Sequence, residues 1–147
     1  MSNHDSHNFA VTHLVRDTCL CLHVQRAART LARRFDELFR PLDLTNGQFS
    51  LLMSLNRPAP PRISDVSELL AMDRTTLTAA LKPLQRRGLV KVSIDKADKR
   101  GRRLALTAAG QKLLAAAVPL WKREHAAIEK LISGNAGRLR ADLAALS

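Results

Sequence analysis

The stretch from residue 72 to residue 107 constrains the fold most, because a helix, a tight turn and two strands follow one another directly in it. Asp73 is a typical N-cap residue, and leucines recur behind it at the spacing of one helix face. Gly88 stands where a helix C-terminal cap is expected, and residues 89–94 alternate like a half-buried strand. Residues 103–107 begin a return strand after a turn rich in Asp and Lys. The segment therefore predicts a helix followed at once by a two-stranded hairpin.

This helix and hairpin are strongly basic. The chain of 147 residues carries a formal net charge of +11, and residues 73–103 hold ten Lys or Arg against three Asp. Clustered positive charge repels itself in a compact fold and is favourable opposite a polyanion. A basic helix suits the major groove of a duplex, while a basic hairpin reaches the neighbouring backbone and minor groove. The alternative, a basic surface that serves only solubility, does not require such clustering.

Length and motifs exclude several other classes of protein. The length is that of one domain, so we expect a single domain over residues 1–147. No apolar run approaches the roughly 20 residues that span a bilayer, and the N-terminus lacks a signal-peptide pattern. We therefore expect a cytoplasmic protein without a membrane partner. The sequence contains no Gly-rich phosphate loop, nucleophile elbow or paired-carboxylate motif, which predicts neither an enzyme nor a cofactor.

Helical patterns precede the basic segment. Residues 1–9 are polar and are predicted to be disordered, whereas residues 11–39 have apolar side chains at helical spacing. One helix over that range would be about 42 Å long, and a helix so long in a small chain usually packs on something outside its own domain. Thr45 with Gln48 three residues later predicts a capped second helix. Ser64, after a proline-rich break, is the predicted cap of a short third helix.

The predicted fold class is mainly α. The short third helix and the basic helix form a helix-turn-helix, and the hairpin is a two-stranded β-wing beside it. Thr107 is the predicted cap of a long helix that reaches about residue 131, with a kink at Pro119. Gly134 breaks this helix, and residues 138–146 form a last amphipathic helix.

Four segments in this order resemble the MarR family of winged helix-turn-helix regulators. They are residues 41–45 (PLDLT), 73–78 (DRTTLT), 87–90 (RGLV) and 98–107 (DKRGRRLALT). The resemblance implies a homodimer built from residues 10–40 and 108–147, with a DNA-binding lobe over residues 45–107. It also implies that the two lobes bind a pseudo-palindromic operator in double-stranded DNA.

The first turns of the basic helix are the part of a helix-turn-helix that meets base edges. Arginine and threonine side chains there can bond bases or phosphates, and a threonine methyl can touch thymine. The alternative is that the threonines satisfy the backbone at the helix start. The predicted contacts on this helix are Arg74, Thr75, Thr76, Thr78, Lys82 and Arg86, the last two toward phosphates.

The hairpin turn supplies the other predicted DNA contacts. Asp98 and Arg100 flank Lys99, and a carboxylate two residues from an arginine can hold its guanidinium in one pose. The resemblance implies that Arg100 reads the minor groove and that Asp98 positions it; the alternative is a solvated charged turn. Arg102 and Arg103 alternate faces of the strand, so only one of them is expected to face the duplex directly.

The two cysteines are expected to be reduced thiols. On a continuous helix Cys19 and Cys21 point about 200° apart, which disfavours a disulfide. Cys21 falls where the organic-hydroperoxide-sensing branch of the MarR family keeps its reactive thiol. That branch implies two tyrosine donors to the thiolate, whereas Gln25 and Phe35 stand at the matching positions here. We therefore expect an unactivated thiol at Cys21.

The resemblance also implies a small-molecule pocket between the first helix, the second helix and the helix after the wing. Each of its predicted lining residues also suits a core position. They are Cys21, His23, Gln25, Phe49, Met53 and Trp121.

The five histidines predict no metal site. His4 and His7 have ligand-like spacing but lie in the tail predicted to be disordered, and His13, His23 and His125 are scattered. A zinc site needs three or four convergent ligands.

These observations predict a sequence-specific, dimeric transcription regulator of the repressor type, released from DNA by a small-molecule effector. One alternative is a thiol-based repressor that senses oxidants through Cys21. Another is an architectural DNA-binding protein of low sequence specificity. An enzyme ranks third among the alternatives, because no catalytic constellation is visible.

Overall fold

The computed structural model describes the backbone of residues 3–147 and the side chains of residues 9–147. Within that range the chain is mainly helical with a two-stranded antiparallel sheet, as predicted. No described helix is both long and apolar enough to cross a membrane. The elements in chain order are α1 (Asn3–Thr18), α2 (Leu20–Phe39), a 3₁₀ turn (Arg40–Leu42), α3 (Asn46–Leu55), α4 (Ile63–Leu70), α5 (Arg74–Arg86), β1 (Val90–Ile94), β2 (Arg102–Leu106), α6 (Ala108–Glu129) and α7 (Ala136–Ala145).

The single helix predicted over residues 11–39 is wrong, because the chain breaks at Cys19. The Cys19 backbone is extended (φ −69°, ψ 110°), and its Sγ accepts the Leu22 N–H at 3.5 Å as the N-cap of α2. On the other side of the break, the Thr18 hydroxyl donates to the Leu14 carbonyl at 2.6 Å. The apolar spacing continues across the break, so the sequence pattern does not reveal it.

The disordered tail predicted over residues 1–9 is also wrong where the structure describes it. Residues 3–9 belong to α1, while residues 1 and 2 lie outside the described part. From Phe9 to Thr18 every side chain of α1 is exposed. Residues 3–8 are all polar, so no apolar periodicity predicts a helix there.

The elements from α3 to β2 share one core. Leu52 of α3, Val66 of α4, Leu77 and Leu84 of α5, and Leu104 of β2 are all 0 % exposed. Burying each such side chain is worth about 1.5–3 kcal/mol. The helix-turn-helix and the wing are therefore one packed unit.

The wing is anchored to the segment before α4. β1 and β2 pair antiparallel, with Ile94 opposite Arg102 next to the wing turn and Val90 opposite Leu106 at the open end of the ladder. The Leu104 N–H also donates to the Pro61 carbonyl at 2.9 Å. The proline-rich break predicted from sequence thus lies along the outer edge of β2.

Helix α4 begins earlier than predicted. Its N-cap is Arg62 rather than Ser64, because the Asp65 carboxylate accepts the Arg62 N–H at 2.9 Å. The sequence favours Ser64 as a cap, but the side chain three residues after Arg62 supplies the bond that fixes the helix start. The other predicted caps of α3, α5 and α6 are confirmed.

The start of α6 packs against the short segment that joins α5 to β1. Gly88 has φ +69°, and the amides of Gly88 and Leu89 donate to the carbonyls of Gln85 and Leu84, which is a Schellman motif. A Cβ added at Gly110 of α6 would lie 2.2 Å from the Leu89 carbonyl oxygen. Only glycine allows α6 to approach the start of the wing so closely.

The two C-terminal helices, α6 and α7, follow the wing in the chain. α6 contacts α2 and α3, and an ion pair joins Arg34 of α2 to Glu124 of α6. Pro119 lies inside α6, which ends at Glu129. Asn135 caps α7, and no side chain of α7 is buried.

Candidate nucleic-acid interface

The basic helix α5 presents its predicted contacts to solvent. All six predicted side chains are exposed, whereas Leu77, Leu81 and Leu84 of the same helix are buried. At 100° per residue, Thr75 and Lys82 lie on the face opposite Leu77. α5 therefore has one face for the core and one that is free for a ligand.

At the start of α5 one threonine also serves the helix itself. The Asp73 carboxylate accepts the Thr76 amide at 2.8 Å and the Thr76 hydroxyl at 2.7 Å. The amide bond first, and the hydroxyl bond second, hold the pKa of the Asp73 carboxyl below its ordinary value. The hydroxyl proton of Thr76 is thus used at the start of α5 itself, which agrees with the alternative that the threonines there serve the helix start.

The wing turn is built by two aspartates that accept backbone amides. Asp95 Oδ1 accepts the Ala97 N–H at 3.0 Å, and Asp98 Oδ1 accepts the Arg100 N–H at 3.1 Å. Asp98 therefore holds the Arg100 backbone rather than the guanidinium that the sequence suggested. Lys99 and Arg100 stand exposed at the tip.

Arg102 and Arg103 point to different parts of the molecule. The Arg102 guanidinium donates to the Gly101 carbonyl at 3.1 Å, within the turn. The Arg103 guanidinium donates to the Pro60 carbonyl at 3.0 Å, and its side chain is half-buried. Arg103 is the one predicted contact that is not fully exposed, since it faces the segment before α4.

A groove separates α5 from the wing. Its volume is about 350 Å³, and it is bordered by the start of α4, the first turns of α5 and the wing turn. Three elements thus bring cations to one concave surface, a geometry that suits a phosphate of a duplex. The arginines that line it are Arg62, Arg74, Arg100 and Arg102.

Sequence reasoning missed two charged residues of this groove. Arg62 follows the proline-rich break and looks like a loop charge, and Asp95 looks like an ordinary turn residue. Both line the groove, and Arg62 Nε lies 3.1 Å from Asp95 Oδ2. The only signal was the local excess of charge, which does not indicate that residues 33 positions apart meet.

Comparison with known proteins agrees with this geometry. A model of the MarR family matches residues 44–101, from the start of α3 to the wing turn. The transcriptional regulator MosR of M. tuberculosis, solved in complex with DNA, is 38 % identical, with 88 % of this chain and 93 % of MosR covered and a TM-score of 0.80. The chain belongs to the MarR family.

Two further relatives extend the comparison. The transcriptional repressor CouR, bound to a 23-mer DNA duplex, is 27 % identical over 90 % of this chain and 94 % of CouR, with a TM-score of 0.78. The transcriptional regulator HosA of Escherichia coli O157:H7 is 37 % identical over 79 residues, 53 % of this chain. That match spans 58 % of the length of HosA.

The predicted effector pocket of this MarR-family chain falls into two separate cavities. The first, of about 480 Å³, lies between α2, α3 and α6, where the resemblance implies it. Phe49, Met53 and Trp121 line it, and the Phe49 ring stacks on Phe39 with centroids 4.8 Å apart. Asn46 and Ser50 are the neutral polar groups of its wall.

The second cavity, of about 590 Å³, lies between the start of α2 and the end of α7. Cys21 and Gln25 line it together with leucines of both helices, whereas His23 lines neither cavity and bonds the Cys19 carbonyl through Nδ1 at 2.7 Å. Gln25 donates its amide to Cys21 Sγ at 3.0 Å. The position that lacks a tyrosine thus still supplies one donor to the thiol.

The cysteines themselves are both free thiols. Cys19 lies in the break before α2, so the angle of about 200° expected between the two cysteines on one continuous helix is wrong. Cys21 is exposed and Cys19 is partly buried.

Among residues 9–147 no three His, Cys, Asp or Glu side chains cluster as metal ligands would. His125 stacks on Trp121 with ring centroids 4.7 Å apart and lies 3.7 Å from Glu129. The side chains of His4 and His7 lie outside the described residues.

Proposed function

We propose that this chain is a DNA-binding transcriptional repressor that acts as a homodimer on a pseudo-palindromic operator. The observation that carries the proposal is the exposed cationic surface that runs from α5 across the groove to the wing tip. MosR and CouR, which share the fold over nearly their whole length, are bound to DNA in their structures. We assign base contacts to the first turns of α5 and a minor-groove contact to Arg100.

Exposed apolar side chains on the terminal helices support the dimer. Of fourteen large apolar side chains exposed among residues 9–147, eleven lie on α1, α2 or α7 or directly after α6 or α7. Monomeric proteins rarely expose such extended apolar surface, whereas a second copy of the chain would bury it. The eleven residues are Phe9, Val11, Leu14, Val15, Leu20, Val24, Leu31, Leu131, Leu139, Leu143 and Leu146.

The cavity between α2, α3 and α6 is the candidate effector site. It joins a helix of the dimer region to two helices that support the DNA-binding lobe, and its wall is largely aromatic. Two recognition helices must lie about 34 Å apart to enter successive major grooves. A ligand that fits the free state better than the DNA-bound state would alter this spacing and release the operator.

Binding of a fluorescent operator duplex, followed by anisotropy, tests the DNA contact. Replacing Arg100 with Ala should weaken binding by about 1–3 kcal/mol while the dimer stays folded. Arg123→Ala, which removes an exposed cation from α6, is the matched control and should change affinity little. Unchanged affinity in Arg100→Ala at unchanged stability would refute the wing contact.

The same assay separates a specific repressor from an architectural protein. A repressor should prefer its operator over an unrelated duplex by several powers of ten at physiological salt. Nearly equal affinities with a steep salt dependence for both duplexes would favour the architectural alternative.

A thiol-based repressor is the second candidate, favoured by the exposed Cys21 and its bond from Gln25. One amide is a weaker donor set than two phenols, so we expect stoichiometric cumene hydroperoxide to leave operator binding intact. Cys21→Ser should then behave like the unmodified chain in a gel shift, with mass spectrometry of the Cys21 peptide as a check. Release of DNA that requires Cys21 would make the redox function the primary one.

A further inference from the structure

Asp95 is the one buried charged side chain among residues 9–147, and it lies inside the most cationic part of the surface. Its side chain is only 5 % exposed. Oδ1 accepts the Ala97 amide, while Oδ2 lies 3.1 Å from Arg62 Nε and 3.3 Å from Arg103 Nε. Neither arginine contact is aligned as a hydrogen bond, so the two guanidinium groups hold Oδ2 mainly by charge.

The partners of Asp95 belong to different elements. Arg62 is the N-cap of α4 and pairs along the backbone with Arg103 of β2, which also bonds the Pro60 carbonyl. The Ala97 amide belongs to the wing turn. One carboxylate therefore ties the start of α4, the return strand and the turn into a single arrangement.

A negative charge at this place opposes DNA binding through long-range electrostatics. The groove that Asp95 lines faces the polyanion, so a neutral side chain there would attract DNA more strongly. A buried charge is retained at a cost in desolvation unless its partners are held well. The Ala97 amide first, and then the charges of Arg103 and Arg62, outweigh that cost and hold the pKa of the Asp95 carboxyl below its ordinary value.

We propose that Asp95 is a positioning residue for DNA binding: it fixes the wing against α4, so that Arg100 reaches the duplex that α5 occupies. Arg100 and Arg74 line the same groove from opposite sides, and their separation is set by the pose of the wing. The inference rests on the proposed wing contact of Arg100. It goes beyond that contact because Asp95 itself touches no DNA.

The test is the sign of the effect of Asp95→Asn on operator affinity. Asp43→Asn is the matched control, since Asp43 is 99 % exposed and 4.0 Å from Arg87, and both changes raise the net charge by one. Charge alone predicts equal or tighter binding for both variants. A positioning role predicts weaker binding for Asp95→Asn only, on the order of tenfold.

A double-mutant cycle with Arg100→Ala shows whether the loss passes through the wing tip. If Asp95 acts through Arg100, Asp95→Asn should cost affinity in the natural chain and almost nothing in the Arg100→Ala background. A general loss of folding would lower affinity equally in both backgrounds. Thermal unfolding and sedimentation accompany every variant.

Arg103→Gln provides a second route should Asp95→Asn fold poorly, because the Arg103 side chain is 32 % exposed and tolerates a neutral replacement better. It should show the same dependence on Arg100. Equal or tighter binding of Asp95→Asn, an equal loss in Asp43→Asn, or losses that persist in the Arg100→Ala background would overturn the proposal. A lack of effect of Arg100→Ala alone would instead refute the wing contact on which it rests.

Discussion

The winged unit, from α3 to β2, buries most of its large apolar side chains, whereas the terminal helices α1 and α7 expose theirs. From α3 to β2, each helix and strand contributes at least one side chain that is fully or almost fully buried, and Leu69, Met53 and Ile94 are its exposed exceptions. In α1 and α7 no described side chain is buried, although α1 carries Phe9, Val11, Leu14 and Val15 and α7 carries Leu139 and Leu143. The same kind of apolar side chain thus lies in a core in one region and on an exposed face in the other, where the proposed dimer would bury it.

This difference indicates which region can bury its apolar side chains without a partner. The winged unit buries its own core and closes its helix ends with local caps, so it specifies its own structure. The terminal helices place their apolar faces toward solvent, which is costly for a lone chain. We expect their stability to depend on protein concentration, whereas that of the winged unit should not.

The largest expected effect comes from removing residues 134–147. The deletion takes away α7 with its exposed leucines, and we expect it to abolish both the dimer and operator binding. Sedimentation and anisotropy measure these losses, and circular dichroism should still report a folded winged unit. A truncated chain that sediments as a dimer and binds DNA normally would contradict the contrast between the two regions.

A substitution where α6 packs against the winged unit should act on folding rather than on assembly. In Gly110→Ala the new Cβ would lie 2.2 Å from the Leu89 carbonyl, so α6 must move away from the wing. We expect the free energy of unfolding to fall by about 1–3 kcal/mol in urea titrations. Gly47→Ala is the control, since nothing lies within 4 Å of its added Cβ, and it should not destabilise α3.

The smallest expected effect compares two leucines of similar exposure. Leu143 of α7 is 42 % exposed and Leu69 of α4 is 56 % exposed. Leu143→Glu should raise the dissociation constant of the proposed dimer about tenfold, because a charge would replace an apolar side chain that the partner is expected to cover. Leu69→Glu should leave it unchanged, and equal effects of the two variants in sedimentation would remove the distinction.

Local signals allowed much of the fold to be predicted from the sequence. Thr45, Asp73 and Thr107 are N-caps as expected, and Gly88 ends α5 with a left-handed backbone. Each of these signals acts over three or four residues, so it survives in any tertiary context. The order of helices and strands from α3 onward followed from them.

Features that depend on distant pairing could not be predicted. The Arg62 cap needs Asp65 nearby, but its selection over Ser64 also follows from the pairing of the preceding segment with β2. Asp95 is an ordinary turn residue until the fold brings two arginines to it. The division of the predicted effector pocket follows from the position of α7, which no local pattern specifies.

The turn between α2 and α3 has a mechanical consequence. Asp36 of α2 accepts the backbone and side-chain amides of Asn46 at 2.7 and 2.8 Å, and Arg87 at the end of α5 donates to the Asp43 carbonyl at 2.6 Å. Hydrogen bonds therefore hold the turn between α2 and the winged unit from both sides. We expect a rotation of α2 to carry α3 and the end of α5 with it, so that the winged unit moves together with α2 as one rigid body.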